Sequence, residues 1–161
     1  MKRNLPIAAA VVVIGGFLFW YLSTEQVLKR RTEKLLSVLT FEEKRSMMGS
    51  QMGSYSLNAL VAKELVLESP SSEANGNFGR DQIESGFAWL GGQAKFTQFE
   101  VKEFQAVTVN GNLATVEALI DGVVALSEYR PVDGLYQVTL DWQKEDDGWK
   151  LAKAKWVEAV K

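Results

Sequence analysis

The chain contains neither histidine nor cysteine, which leaves carboxylates as the candidate bases that we consider. Histidine is the usual general base and metal ligand, and cysteine supplies the thiol nucleophile. A carboxylate in water has a pKa of about 4 and is a weak base at neutral pH, but burial among apolar groups raises that pKa. A mechanism that uses a carboxylate base would therefore need an Asp or Glu on a buried face.

Three carboxylates stand in segments that alternate as half-buried strands do. Asp141 lies in LYQVTLDWQ, residues 135–143, and Glu117 and Asp121 lie in ATVEALID, residues 114–121. Because successive strand residues point to opposite faces, all three are expected on the polar face. We therefore assign no catalytic residue, and Asp141 is the alternative base only if a bulge reverses its register. The opposite, apolar face is predicted to hold Ala114, Val116, Ala118, Ile120, Tyr136, Val138, Leu140 and Trp142.

Cofactor and nucleic-acid signals are missing from the sequence. It contains no P-loop, dinucleotide-binding fingerprint, EF-hand or metal-ligand spacing, so we expect no cofactor and no metal. Residues 35–161 hold 12 of the 18 basic and 18 of the 20 acidic residues, a net charge of −6. An acidic domain gains nothing from a phosphate backbone, so nucleic acid is not an expected partner.

The uncharged stretch LPIAAAVVVIGGFLFWYL, residues 5–22, follows a short basic tail, residues 1–4. As a helix it would be about 27 Å long, close to the bilayer hydrocarbon core of about 30 Å. A signal peptide has a shorter apolar region and a small-residue cleavage site, whereas this stretch ends in FLFWYL. We expect an uncleaved transmembrane anchor in the lipid bilayer; a cleaved signal and a buried core helix are the alternatives.

Basic and aromatic residues flank this stretch on both sides. The expected membrane-interface residues are Lys2, Arg3, Trp20, Tyr21, Lys29, Arg30 and Arg31. A count of positive charges favours a cytoplasmic C-terminal part. However, Lys2 and Arg3 directly abut the apolar stretch, and long domains cross largely regardless of charge. We expect the C-terminal domain on the periplasmic side of a bacterial inner membrane, with the cytoplasmic side as the alternative.

Helical patterns follow. Residues 23–40 predict a juxtamembrane helix with Leu28 and Leu35 on its apolar side. TFEE, with Thr40 and Glu43 as a capping box, predicts a second helix from Phe41. Its apolar stripe is interpreted as core and consists of Phe41, Met48, Met52, Tyr55 and Ala59.

A third helix and a set of strands complete the pattern. GRDQIESGFAWLGG predicts a short helix with Ile83, Phe87 and Leu90 facing inward, ended by Gly91-Gly92. KELVLES predicts a short strand, and PSSEANGN a loop. From residue 95 onward the period changes to two, and Asn110-Gly111, RPVDG and EDDG join four long strands in an antiparallel meander. Gly122 predicts a bulge or bend that would curl the sheet. The fold class is therefore α+β.

This order of elements resembles the nuclear transport factor two-like superfamily, also called cystatin-like or ketosteroid isomerase-like. The supporting stretches are GRDQI, VTVNGNLATVEALIDG and YQVTLDWQKEDDGWKLAKAKW, of which the DGWKL turn is the most telling. The resemblance covers residues 41–161 and implies a cone-shaped domain of about three helices on a curled antiparallel sheet. With the anchor in front, the chain is most similar to small membrane-anchored bacterial members.

Two classes of function follow, because the superfamily includes both enzymes and binding modules. The first is a tethered, non-catalytic binding or assembly module that binds a protein partner, a second copy through the sheet, or a small apolar ligand. The second is an isomerase- or hydratase-type enzyme with a carboxylate base in the cone. The lack of a buried carboxylate, histidine and cysteine favours the first. By side-chain direction alone, the cone would be lined by Tyr55, Phe87, Trp89, Tyr136 and Trp142.

Overall fold

A computed structural model of the chain describes residues 5–42 and 47–159. The described residues form four α-helices: α1 Leu5–Tyr21, α2 Thr24–Leu39, α3 Met47–Asn58 and α4 Arg80–Gln93. They also form six strands: β1 Val61–Glu68, β2 Gly76–Gly79, β3 Ala94–Asn110, β4 Leu113–Leu126, β5 Val132–Glu145 and β6 Gly148–Glu158. A single 3₁₀ turn, Ser72–Ala74, precedes β2.

One six-stranded sheet in the order β2-β1-β6-β5-β4-β3 supports the domain. Strands β3 to β6 form the predicted antiparallel meander. The expectation of a purely antiparallel sheet is wrong, because β1 pairs with β6 in parallel. Strand β2, which was not predicted and whose first two residues fall in the predicted loop, adds an antiparallel edge to β1. The sheet is therefore mixed, and the fold is α+β as predicted.

Glycines allow one turn and one close approach within the meander. Gly111, in the turn between β3 and β4, has a φ of +61°, which a residue with a Cβ adopts less readily. The pairing of β3 with β4 continues through Gly122 without a register shift, so the bulge predicted at Gly122 is absent. The register shifts between these two strands lie at other positions. A Cβ on Gly122 would lie 3.1 Å from Cδ1 of Phe99. Gly122 therefore lets the Phe99 ring lie against the strand.

The predicted helix start at Phe41 is wrong. The Phe41 N–H donates to the Thr97 carbonyl at 3.0 Å, and the Thr97 N–H donates to the Phe41 carbonyl at 2.8 Å. The Thr40 hydroxyl oxygen accepts from the Phe99 N–H at 3.0 Å. Residues 40–41 thus satisfy donors on the open edge of β3 instead of capping a helix. Glu43, the other half of the predicted capping box, lies outside the described residues.

The core lies between the helices and one face of the sheet. Leu28 and Leu35 of α2 pack in one cluster with Val116, Leu140 and Trp142. The predicted apolar faces of β4 and β5 therefore do face the core. Helix α2, predicted as a juxtamembrane helix, thus packs against the sheet through its apolar side.

Helix α3 faces the core differently from the prediction. The side chains of Met52 and Tyr55 are 69% and 81% exposed, whereas Leu57, near the C-terminal end of α3, is buried. The predicted apolar stripe is therefore wrong for those two residues, and also for Ala59, which is exposed. The sequence period fixes a stripe but not which stripe meets the sheet. The side chain of Met48 lies outside the described part of the structure.

Helix α1 is 17 residues long and wholly apolar. Within the described residues no single helix is long and apolar enough to cross a membrane; Val11–Tyr21 and Thr24–Leu39, bent by 55°, reach that length and hydropathy only as a pair. The bend falls at Ser23, whose hydroxyl oxygen accepts from the Gln26 N–H at 3.4 Å and caps α2.

Candidate functional site

The carboxylates that sequence reasoning considered as bases lie on the face of the sheet that points away from the helices. The Thr115 hydroxyl donates to Oδ1 of Asp141 at 2.8 Å across the β4–β5 pair. Asp121 is 3.5 Å from the Lys102 ammonium, and Glu117 is exposed. A register shift beside Asp141 falls between β5 and β6, and it leaves the alternation of β5 intact. Asp141 is therefore not placed to act as a base in the interior.

The five aromatic residues predicted to line the cone are not brought together. Phe87 and Trp142 share the core cluster and are 5% and 1% exposed. Tyr136 is partly buried, and its ring lies against the backbone of Gly134. Tyr55 and Trp89 are 81% and 59% exposed. The prediction that these two residues line the cone is therefore wrong.

The concave side of the sheet is filled by aliphatic side chains. Leu28 of α2 and Val116 of β4 are fully buried in the cluster that contains Trp142. Among the described side chains, the indole N–H of Trp142 is a buried donor without a hydrogen-bond acceptor. The side chain of Trp142 therefore lies in a packed core, together with these aliphatic side chains.

Outside the core, ion pairs between lysines and carboxylates keep both partners ionised. The Lys153 ammonium donates to Oε1 of Glu68 at 2.7 Å. This hydrogen bond lowers the pKa of the Glu68 carboxyl and raises the pKa of Lys153. The hydrogen bond from Lys150 likewise lowers the pKa of the Asp147 carboxyl. These shifts run opposite to the upward shift that a carboxylate base needs at neutral pH.

A groove of about 600 Å³ opens where β1 ends beside the end of β6. We call it the β6 groove. Its apolar lining comes from Val66, Leu67, Pro70, Trp156 and Val157, and Glu68 and Lys155 stand at its charged side. Sequence reasoning missed this groove because it depends on the parallel pairing of β1 with β6, two segments far apart in the chain.

The predicted membrane-interface residues make contacts at the start of α2. Arg30 donates to the Tyr21 carbonyl at 2.5 Å and lies 3.8 Å from the centre of the Tyr21 ring. Lys29 pairs with Glu25 at 2.7 Å. Trp20 and Tyr21 are 54% and 45% exposed. Lys2 and Arg3 lie outside the described residues.

A second groove, of about 520 Å³, lies beside these residues. We call it the basic groove; its cationic lining is Arg30, Arg31, Lys34 and Lys150. Lys150, only 5% exposed, donates to the Ala59 carbonyl and pairs with Asp147, both at 2.8 Å. The strand period would have placed Lys150 on the solvent side, so no sequence signal pointed to it. Across residues 5–42 and 47–159, no group of acidic side chains is arranged to hold a metal ion.

Comparison with known proteins identifies the fold. No protein-family model matches the chain, and no curated protein matches it. The structure is similar to an NTF2-like superfamily protein from Salmonella enterica serovar Typhimurium, with a TM-score of 0.66 and 14% identity over 84% of this chain and 91% of that one. The resemblance inferred from the sequence is thus confirmed: the chain has the nuclear transport factor two-like fold.

Two other similar structures carry different descriptions on the same fold. One is a CaMKII hub from S. rosetta, with a TM-score of 0.57 and 17% identity over 82% of this chain and 94% of that one. The other is a candidate dehydratase of the NTF2-like family from Streptomyces avermitilis, with a TM-score of 0.55 and 16% identity over 83% and 94% of the two chains. A hub and a candidate dehydratase thus share this architecture, so the fold alone does not decide the function.

Proposed function

We propose that this protein, a chain with the nuclear transport factor two-like fold, is a membrane-tethered, non-catalytic binding or assembly module. Residues 5–22 are its uncleaved anchor in a bacterial inner membrane. The domain that follows works at the outer face of that membrane, where it binds a protein partner, a second copy or a small apolar ligand.

One observation carries the tether. All large apolar side chains from Val11 to Leu22 are exposed, by 45% at Tyr21 to 83% at Phe19. Full burial of one such side chain is worth about 1.5–3 kcal/mol. A protein domain rarely leaves so many apolar side chains in water, and a patch of this kind marks contact with a partner or a membrane. The uniformly apolar composition of α1 suits lipid on every side of the helix.

The charges beside the apolar stretch bear on the side of the membrane on which the domain lies. Arg30 and Lys29, which add to a positive-inside count, are engaged by Tyr21 and Glu25. These contacts leave both positive charges in place. The outer side is proposed because Lys2 and Arg3 directly abut the apolar stretch and long domains cross largely regardless of charge.

Binding in place of catalysis is supported by where the polar groups lie. The candidate carboxylates Glu117, Asp121 and Asp141 are on the outer face of the sheet, and the concave face is filled around Trp142. The β6 groove offers an apolar floor with one charged edge, which suits an apolar ligand or a peptide. The isomerase- or hydratase-type alternative would need a carboxylate on the concave face, and the described residues do not place one there.

The tether can be tested on the full chain expressed in bacteria. Membranes are washed with alkaline carbonate, and the pellet is then extracted with detergent and analysed by intact mass. We expect the chain to stay in the pellet, to need detergent and to begin at or near Met1. Replacement of Ile14 by Lys should reduce the pelleted fraction, whereas the same change at the exposed Val109 of β3 should not. Release by carbonate, or an N-terminus after residue 20, would contradict the proposal.

A further inference from the structure

We propose that the basic groove binds the phosphate group of an anionic lipid headgroup. This inference rests on the proposed tether, since the lipid is supplied by the membrane that α1 enters. Three parts of the chain form the groove: the middle of α2, the end of α3 and the β5–β6 turn. Its volume of about 520 Å³ suits a single headgroup.

The charge of the groove is positive after its internal pair is counted. Asp147 is engaged by Lys150 at 2.8 Å, and these two charges offset each other. Arg30, Arg31 and Lys34 remain as three positive charges on one face of α2, at positions i, i+1 and i+4. Guanidinium groups match a phosphate with two parallel hydrogen bonds, and an ammonium adds a point charge.

Two hydrogen bonds to one carbonyl hold the wall of the groove in place. The Lys150 ammonium and the Arg31 guanidinium both donate to the Ala59 carbonyl, at 2.8 and 3.5 Å. This carbonyl follows the C-terminal end of α3, where the helix dipole favours cations. Arg31 also lies against Gly148, where a Cβ would collide with Nη2 of the guanidinium group. Tyr55 and Ser56 of α3 add two hydroxyl groups to the same groove, and hydroxyls donate to phosphate oxygens.

The position of the groove favours a lipid as the source of the phosphate. Arg30 is bonded to the carbonyl of Tyr21, the last residue of α1. Residues 30–34 lie about 10–16 Å along α2 from Ser23, and α2 departs from α1 at 55°. If α1 stands along the bilayer normal, these residues lie roughly 6–10 Å beyond its end, within the reach of headgroup charge. The exposed Tyr55 ring then faces the same zone, where tyrosine is favoured.

The test uses the full chain, labelled with ¹⁵N, in neutral maltoside micelles. Amide shifts are recorded during titration with dihexanoyl phosphatidylglycerol, with its phosphatidylcholine counterpart and with glycerol 3-phosphate. We expect saturable shifts at Lys34, Ser56 and Ala59 with the anionic lipid and at least fivefold weaker binding of the zwitterionic lipid. Lys34→Gln should weaken the anionic lipid about fivefold, as expected for one surface charge. Lys95→Gln, an equal change at an exposed lysine outside the groove, should leave the affinity unchanged.

Each other outcome overturns the inference. Equal affinity for glycerol 3-phosphate would mean a site for a soluble phosphate. Equal losses in the Lys34→Gln and Lys95→Gln variants would mean diffuse attraction without a site, and an absence of saturable shifts would mean no binding. Failure of the tether is read separately from the carbonate wash, because the lipid probes here are short and do not depend on α1 entering a bilayer.

Discussion

Truncation of Trp142 tests the assignment of the sheet faces and the closed interior together. The side chain is 1% exposed and packs with Leu28 and Val116. Its indole N–H has no acceptor among the described residues, so Trp142→Ala removes packing without removing a hydrogen bond. Loss of a buried aromatic side chain and the cavity that it leaves cost about 3–5 kcal/mol. That loss is a large part of the roughly 5–15 kcal/mol by which a domain is stable.

The assay is urea unfolding of the full chain in a non-ionic detergent, followed by circular dichroism. Trp89→Ala is the matched control, because Trp89 is 59% exposed and should cost less than about 1 kcal/mol. Trp142→Phe should cost less than Trp142→Ala, since it keeps a ring and removes the unpaired donor. A loss below about 1 kcal/mol for Trp142→Ala, or equal losses at the two tryptophans, would refute the assigned faces.

Three further predictions concern contacts that hold the sheet. Gly122→Ala should destabilise the domain by about 1–3 kcal/mol, because its Cβ would press on the Phe99 ring, and combination with Phe99→Leu should recover part of the loss in the same urea assay. Thr97→Val should cost about 1–3 kcal/mol, since it leaves the partly buried Leu39 carbonyl without its hydroxyl donor; Thr97→Ser should cost less. The pKa of Glu68 is lowered by its lysine partner, so this group stabilises the fold above its ordinary pKa of about 4.5 and loses that effect as the pH falls through the lower folded value. Urea midpoints from pH 6 to pH 3 should therefore fall more in the parent protein than in Glu68→Gln; equal slopes would contradict this.

The meander was predictable because its signals are local. The alternation from Ala114 to Ile120 fixes a buried face, and Asn110-Gly111 fixes the turn before it. The same alternation places Asp141 on the outer face, which the bond from Thr115 bears out. These features needed only neighbours within one hairpin.

Contacts between segments that are far apart in the chain could not be predicted from local sequence patterns. Thr40 and Phe41 look like a helix start by themselves, but the edge of β3, more than 50 residues later, offers them backbone partners. The facing of α3 depends on what it packs against, so Met52 and Tyr55 were placed in the core although they are exposed. The basic groove likewise exists only because Lys150 of β6 meets the end of α3.

In the proposed arrangement, an uncleaved anchor holds the domain at the outer face of the membrane. The most direct measurement is a fusion of alkaline phosphatase to the C-terminus of the full chain, paired with a fusion of a fluorescent protein that matures only in the cytoplasm. We predict phosphatase activity in the membrane fraction, at the full mass of the fusion, and no fluorescence from the paired fusion. Inactive phosphatase with a fluorescent partner fusion would reverse the topology, and active phosphatase released as a shortened soluble protein would contradict the anchor.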